Sequence, residues 1–469
     1  MKGPVAGRGL TLATLALFAF TCTVALAEPR IAETHRPAKA ARDLNQIRQA
    51  KVLRVVVNQS RNSSATLGGA PVGAEDRRLK AFEAFLNAQK GSHGAIRLQA
   101  VPRPKGQLLA ALQHGEADLA APGEALAPVG NLRSVAATAA VANSDLVLVH
   151  PRKHRAFDNL DQLAGKHLVL VAGSAAEEAV NRANAQLIAR HKRPMVIEWA
   201  DASLGVEDVL DMVSAGVYAM TLVEQPIAER WVKLMPDLRV ERRLAFQAPT
   251  PISWYVRQDA PQLSESVRAF ISQYKPAANQ DKALLEGCRD LYQTRNPLDR
   301  DDRARLEALR PVLQRNAREQ GLDWLDLAAL AYKESDLTPD ARGGSGASGP
   351  LQITPAAARR VGVRQMDDVD DSVRAAARYL ALIRRNFFNS KHMDERERMA
   401  FVLAAYNLGP ERVQRLRAQA RQRGLDPNRW FFQVERVAME SLGLAPVRYV
   451  NNVNKYYLAF NRARDSLEP

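Results

Sequence analysis

Glu334-Ser-Asp-Leu-Thr-Pro-Asp-Ala-Arg-Gly-Gly-Ser-Gly-Ala-Ser-Gly-Pro-Leu-Gln-Ile-Thr-Pro355 runs from the end of a helical pattern into a glycine-rich loop. Its meaning depends first on what precedes it. Residues Trp324 to Ser335 predict a helix whose apolar stripe is Leu327, Leu330 and Ala331. Glu334 comes seven residues after Leu327 and four after Leu330, so it falls on the same inward face. A carboxyl there is partly desolvated, which raises its pKa and suits it to hold a proton near neutral pH. A solitary Glu late in a helix is more often a solvated surface group or an ion-pair partner, so the spacing by itself does not assign a role.

The surrounding chain is helical in pattern. From Asp299 onward Leu, Ala and Arg dominate and β-branched runs nearly vanish, which puts a boundary between about 290 and 300. A first helix is expected over Arg303 to Gln320, stopped at Gly321. The loop keeps Glu334, Ser335, Pro339, Ala341, Gly346, Ala347, Gly349 and Gln352 in the register of E-S-x-F-x-P-x-A-x-S-x-x-G-A-x-G-L-M-Q-x-x-P. Asp371-Ser-Val-Arg-Ala-Ala-Ala-Arg-Tyr-Leu380, Ala405-Tyr-Asn-Leu-Gly409 and Tyr449-Val-Asn-Asn-Val-Asn-Lys-Tyr456 follow in order. In these motifs the segment resembles the lytic transglycosylase domain, akin to goose-type lysozyme. Leu337 replaces the motif's aromatic, Gly343 its Ser, and Pro350-Leu351 its Leu-Met pair, a change expected to alter the wall of the saccharide groove.

The resemblance implies cleavage of the β-1,4 bond between N-acetylmuramic acid and N-acetylglucosamine in peptidoglycan. Ordinary glycosidases need two carboxylates. Between Glu334 and Gln352 only Asp336 and Asp340 are acidic, and the Gly/Ser-rich loop carries none, so a one-carboxylate mechanism fits better. The resemblance makes Glu334 the acid that protonates the leaving oxygen and then, as carboxylate, takes the proton of the muramoyl C6 hydroxyl, giving a 1,6-anhydro end without water. By the same analogy Tyr449 supports the Glu or the developing charge, and Ser335, Gln352, Tyr406 and Asn407 hold N-acetyl and hydroxyl groups. A helix-packing pair with a cap is the alternative for Tyr406 and Asn407. Two rival functions stand beside this one: a hydrolytic muramidase, and a non-catalytic sensor that binds peptidoglycan or a solute.

Upstream the pattern alternates. Leu53 to Val57 reads as a strand, Asp76 to Leu86 as a helix, Ile96 to Val101 as a strand, Gly106 to Gly115 as a helix and Ala117 to Ala121 as a strand. Such alternation predicts a mostly parallel sheet covered by helices. A second lobe is expected after Asp145 to His150, with strands at Leu168 to Val171, Met195 to Trp199 and Ala219 to Val223 and a helix at Ala175 to Arg190; Ser253 to Arg257 reads as a return to the first lobe. With Leu108-Leu-Ala-Ala-Leu-Gln-His-Gly-Glu-Ala-Asp-Leu119, Leu163-Ala-Gly-Lys166, Gly173-Ser174 and Gly216 through Glu224-Gln-Pro226, this region resembles the family 3 periplasmic solute-binding proteins. The resemblance implies a ligand such as an amino acid or muropeptide, with Arg133 for its carboxylate, Ser174 at a helix start and Glu224 for its amino group. The alternative for Ser174 is the cap of its own helix.

The expected fold class is therefore a two-lobed α/β periplasmic-binding-protein-like domain followed by an all-α lysozyme-like domain. The expected parts are a signal peptide over 1–27, a lead-in over 28–44, the solute-binding-like domain over 45–292 with its second lobe at about 150–250, and the catalytic domain over 296–469. Lys2 and Arg8 precede an uncharged stretch from Gly9 to Leu26 that closes with Ala25-Leu26-Ala27, the layout of an export signal cut after Ala27. The run sits at the ~18-residue lower limit for spanning, so an uncleaved anchor is the lesser alternative. Cleavage removes Cys22 and leaves Cys288 as the sole cysteine, a small buried hydrophobe rather than a disulfide partner.

Composition agrees with folded, exported domains. Of the 469 residues, 46% are hydrophobic and 25% charged, and a mean hydropathy of -0.28 argues against a polytopic membrane protein. The net charge of +15 favours a polyanionic partner. Export argues against nucleic acid and points to the glycan strands of an anionic wall, in the periplasm of a Gram-negative-type bacterium, with peripheral outer-membrane association as a further expectation. No cofactor and no metal is expected: the eight histidines are scattered, and Gly343-Gly-Ser-Gly346 lacks the Lys-Ser/Thr of a phosphate loop.

Overall fold

Period-two alternation in the run Val52–Asn58 sends Val55 and Val57 to one face of a sheet and Val56 to the other. This is seen in a computed structural model, which describes residues 42–468 other than 68, 69, 89–93, 128–133, 245, 247, 248, 278 and 280. The segment 1–27 expected to direct export, with Cys22, most of the lead-in, and Arg133 lie outside the described residues.

The first sheet has the strand order Arg97–Arg103, Val52–Asn58, Leu119–Ala121, Thr250–Arg257, Val135–Ser144. Helices Ala74–Ala88 and Pro261–Gln273 bury Phe82 and Phe270 against Trp254 of the sheet, with ring centroids 5.4 Å apart for Phe82 and Trp254 and 5.1 Å for Phe82 and Phe270. Leu108 and Leu112, on the short helix Leu108–Gln113, cluster with Val56 on the opposite side. The expected return of Thr250–Arg257 to this lobe is observed.

The expectation of a mostly parallel sheet needs correction. The first three strands pair in parallel, but Thr250–Arg257 runs antiparallel to both of its neighbours. The edge strand Val135–Ser144 was not legible in the sequence. It is rich in Ala and largely exposed or half-buried, so no apolar alternation marks it.

In the second lobe Leu146–Pro151 lies between Thr221–Glu224 and Leu238–Glu241, antiparallel to both, while His167–Leu170 pairs in parallel with Val196–Trp199. Alternation again divides the faces. Leu146 and Leu148 pack with Leu187 and Val180 of helix Ala176–Ala189. Val147 and Val149 join Val209, Val213 and Trp231 in a cluster that continues into the helical region as Leu330, Tyr456 and Phe460. The second lobe and the helical region thus share one apolar core.

From Arg300 to the end the described residues form helices, with Arg300–Gln320, Trp324–Ser335, Val369–Phe387, Glu395–Leu408, Pro410–Gln422 and Ala445–Arg462 as the long ones. Among the described residues no helix is long and apolar enough to cross a membrane. Helix Trp324–Ser335 lies against Ala445–Arg462, with the rings of Tyr332 and Tyr456 4.6 Å apart. Cys288 ends helix Lys282–Cys288 fully buried, and burial pushes its thiol up to about 12, in keeping with a small apolar role.

Buried charge also joins these parts. Arg61 of the first lobe binds Asp208 of the second at 2.8 Å and Glu435 of the helical region at 2.7 Å. Lys455 lies 2.9 Å from both Asp208 and Asp211. All five side chains are at most 2% exposed, so each charge depends on its partners rather than on water.

Candidate active site

Glu334 sits in the last turn of its helix, and the chain then reverses through Asp336 and Leu337 at φ of 51° and 63°. Leu337 is fully buried, so the residue standing where the motif has an aromatic serves as an anchor for the reversal. The Ser335 hydroxyl lies 2.8 Å from the Pro350 carbonyl and accepts from the Thr338 N–H at 3.1 Å, which ties the helix end to the far side of the loop.

The loop is held from several sides. Gly349, at φ +76°, presses on helix Val369–Phe387 so closely that a Cβ there would come within 2.0 Å of the Ser372 hydroxyl. The Ser348 N–H donates to the Ile353 carbonyl at 3.0 Å, and Tyr406 donates to the Leu351 carbonyl at 2.9 Å. Gln352 has a left-handed backbone and its amide donates to the Gly349 carbonyl at 2.8 Å. Its Oε1 occupies the space that a Cβ on Gly343 would need, with 2.0 Å between them. The glycine at 343 therefore leaves room for Gln352 to fold onto the loop.

Pro350 and Leu351 differ from expectation. Both are buried, and what they offer Ser335 and Tyr406 is their carbonyls. This replacement is accommodated inside the loop.

Tyr449, from helix Ala445–Arg462, donates to Glu334 Oε1 at 2.5 Å. Burial raises the Glu334 carboxyl above its ordinary range, opposed by the Tyr449 hydrogen bond and by the positive charge of Lys333. Burial, followed by the charge of Glu334, raises both Tyr449 and Tyr406, so both remain phenols that can donate. The structure thus brings Glu334, Tyr449 and Tyr406 together, with Ser335 and Gln352 holding the adjoining loop. Asn407 is exposed near the end of helix Glu395–Leu408. Sequence reasoning passed over Lys333, whose Nζ lies 6.0 Å from the Tyr449 ring; its place beside Glu334 was the available signal.

In the N-terminal region Ser174 and Glu224 are both buried. Ser174 Oγ accepts from the Ala176 N–H at 3.2 Å, the capping alternative raised by the sequence. Glu224 Oε1 accepts from the Ala125 N–H of the opposite lobe at 2.8 Å. Burial raises the Glu224 carboxyl above its ordinary range, opposed by the charge of Lys105.

Comparison with known proteins agrees with this arrangement. Residues 311–428 match the family model described as Transglycosylase SLT domain. The match takes in Glu334 and Asn407 but ends before Tyr449, which the fold supplies. A protein of Stutzerimonas stutzeri named membrane-bound lytic murein transglycosylase F is 25% identical over 447 residues, covering 90% of this chain and 87% of that one. A Vibrio cholerae protein of the same name is 25% identical over 88% of this chain and 80% of its own length. For a Desulfosudis oleivorans protein of that name the identity is 28%, but the match spans only about half of either chain, 48% of this one and 49% of the relative. Among solved structures, an amino acid ABC transporter substrate-binding protein from Streptococcus pneumoniae bound to L-arginine is 19% identical, with a TM-score of 0.40 over 53% of this chain and 95% of that one. The chain carries a transglycosylase SLT domain and, over most of its length, is similar to proteins named membrane-bound lytic murein transglycosylase F.

Proposed function

We propose that this protein is a peptidoglycan lytic transglycosylase that cleaves the bond between N-acetylmuramic acid and N-acetylglucosamine without water. The observation that carries this reading is the state of Glu334. Its carboxyl is raised by burial and accepts from Tyr449, and among the described residues no second carboxylate is paired with it. An inverting or retaining hydrolase needs such a second carboxylate. Glu334, protonated, gives its proton to the glycosidic oxygen; as carboxylate it then accepts the proton of the muramoyl C6 hydroxyl while that oxygen closes onto C1. Tyr449 keeps the carboxyl in place through both transfers. Ser335 and Tyr406 hold the backbone around it, leaving Gln352 and Asn407 to meet N-acetyl and hydroxyl groups of the glycan.

In this reading residues 296–469 form the catalytic domain and 45–292 the solute-binding-like one, with Ser174 and Glu224 among its candidate ligand residues. The segment 1–27 directs export to the periplasm, and the relatives' names support association with a membrane, for which our reading is a peripheral contact with the outer one. The net charge supports an anionic wall polymer as substrate: residues 296–469 hold 29 basic and 23 acidic side chains.

Mass analysis of sacculi digested by the full chain tests the proposal. Products that end in 1,6-anhydromuramic acid are expected. Reducing muramic ends would make the enzyme a muramidase, and an inert wild type would make it a sensor.

A further inference from the structure

The second lobe carries a cationic face at the end away from its junction with the first. Strand His167–Leu170 runs toward Ser174, which bridges to Leu126 of the first lobe, so the starting ends of this strand and of its parallel neighbour Val196–Trp199 mark the far side. Two loops meet there. Arg152, Lys153 and Arg155 follow strand Leu146–Pro151, and Arg190, Lys192 and Arg193 follow helix Ala176–Ala189; all six are exposed. Lys166 joins the loops. Its Nζ lies 5.7 Å from the ring of Phe157 in the first, and its carbonyl accepts from the Val196 N–H at 2.8 Å. The N–H of its neighbour Gly165 donates to the Arg193 carbonyl at 3.2 Å.

Over residues 151–167 and 188–196 seven Lys and Arg stand against two acids, Asp158 and Asp161. Asp161 pairs with Arg190 at 3.1 Å, and among the described residues the other six cations form no ion pair. Their charge is therefore available to a partner. Aliphatic side chains stand among them: Ile188 is 58% and Val196 44% exposed. The Asn184 side chain brackets the Met195 backbone with hydrogen bonds of 2.9 and 2.7 Å, and Ile188, one helical turn further on, comes beside Val196. Aliphatic groups set in a cationic field suit a lipid surface, which places phosphates outside and an apolar boundary beneath them. A glycan strand would give these aliphatic groups nothing to bury against.

We propose that this end of the second lobe docks on an anionic phospholipid bilayer, with the cations of both loops on the headgroup phosphates and Ile188 and Val196 entering the boundary below. This gives the proposed membrane association a surface; it rests on that association but not on the lytic chemistry. No residue of the candidate active site belongs to the face, so docking and lysis are separable.

Co-sedimentation with vesicles tests the proposal, using the full chain recovered from the periplasm so that wild type and variants share one N-terminus. The wild type should bind vesicles of equal parts phosphatidylglycerol and phosphatidylcholine, release them in high salt, and leave pure phosphatidylcholine unbound. Lys153→Glu with Lys192→Glu, one change in each loop, should weaken binding about twentyfold or more, from about fivefold per cation, with Tm and the rate of sacculus digestion unchanged. The same change of charge in the helical region, Lys391→Glu with Arg415→Glu, should leave binding near the wild-type value. If the first pair fails to fold, Lys192→Gln takes its place, with binding expected to be about fivefold weaker. Binding unchanged in the loop variant overturns the inference alone and assigns membrane contact to another surface. A wild type that ignores both kinds of vesicle overturns it together with the membrane association, while the products released from sacculi judge the lytic reading separately. Binding to sacculi that the loop variant loses, with vesicles ignored, makes the wall polymer the occupant and overturns the inference as well.

Discussion

The phenol of Tyr449 donates a 2.5 Å hydrogen bond to Glu334, joining the two helices that form the heart of the site. That bond favours the carboxylate form and works against burial, which favours the acid. A proton donor loses activity as pH climbs through its pKa. Removing the bond in Tyr449→Phe raises that pKa, so the alkaline limb of the pH–rate profile should move to higher pH while turnover falls by about ten- to a hundredfold. An alkaline limb that moves down would show that Tyr449 acts otherwise.

Glu334→Gln keeps the shape of the side chain and removes the exchangeable proton. Release of anhydromuropeptides should fall by roughly a hundred- to ten-thousand-fold, with Tm and glycan binding retained. A variant as active as the wild type would place the acid elsewhere.

Two loop glycines should respond differently. Gly349→Ala puts a Cβ at a positive φ against Ser372, and should cost about 2 kcal/mol or more in denaturant unfolding. At Gly343 the obstacle is the end of the Gln352 side chain, which can swing away. Gly343→Ser should leave stability within about 0.5 kcal/mol of wild type and change KM for glycan strands.

Lys455 neutralises Asp208 and Asp211 in a place closed to water. Lys455→Met leaves two carboxylates buried together, and equilibrium unfolding should show a loss of about 3–5 kcal/mol. A loss below about 1 kcal/mol would mean that water reaches this junction.

Glu397 supplies a pH dependence of stability. Burial pushes its carboxyl up to about 7, against the opposing charge of Arg429 and the N–H groups of Trp430 and Phe431. Since the folded value lies above the unfolded one, its contribution is complete at low pH and is lost as pH rises from about 4.5 to about 7. The loss is on the order of 3 kcal/mol. In Glu397→Gln the Tm should vary less between about pH 5 and pH 8 than in the wild type.

Local order was legible in the chain itself. The period of Leu327, Leu330 and Glu334 placed the acid on the inward face of its helix, and that helix has the predicted bounds, Trp324–Ser335. The runs at Val52–Asn58 and Thr250–Arg257 are strands of one lobe, as their β-branched and aromatic content suggested. Both signals depend only on neighbours within a few residues, through backbone sterics and the side-chain periods of helix and strand.

The surroundings of charged groups were not legible. Arg61, Lys105 and Lys455 read in sequence like any solvated cation, yet each is at most 2% exposed at its side chain. Pro350 and Leu351 read like a groove wall and are buried within the loop. By itself the sequence determined most of the elements, the order of the two regions and the place of Glu334 on the inward face of its helix. Only the tertiary structure decided which charges lose their water and which partners replace it, because desolvation is imposed by segments that are distant along the chain and meet only on folding.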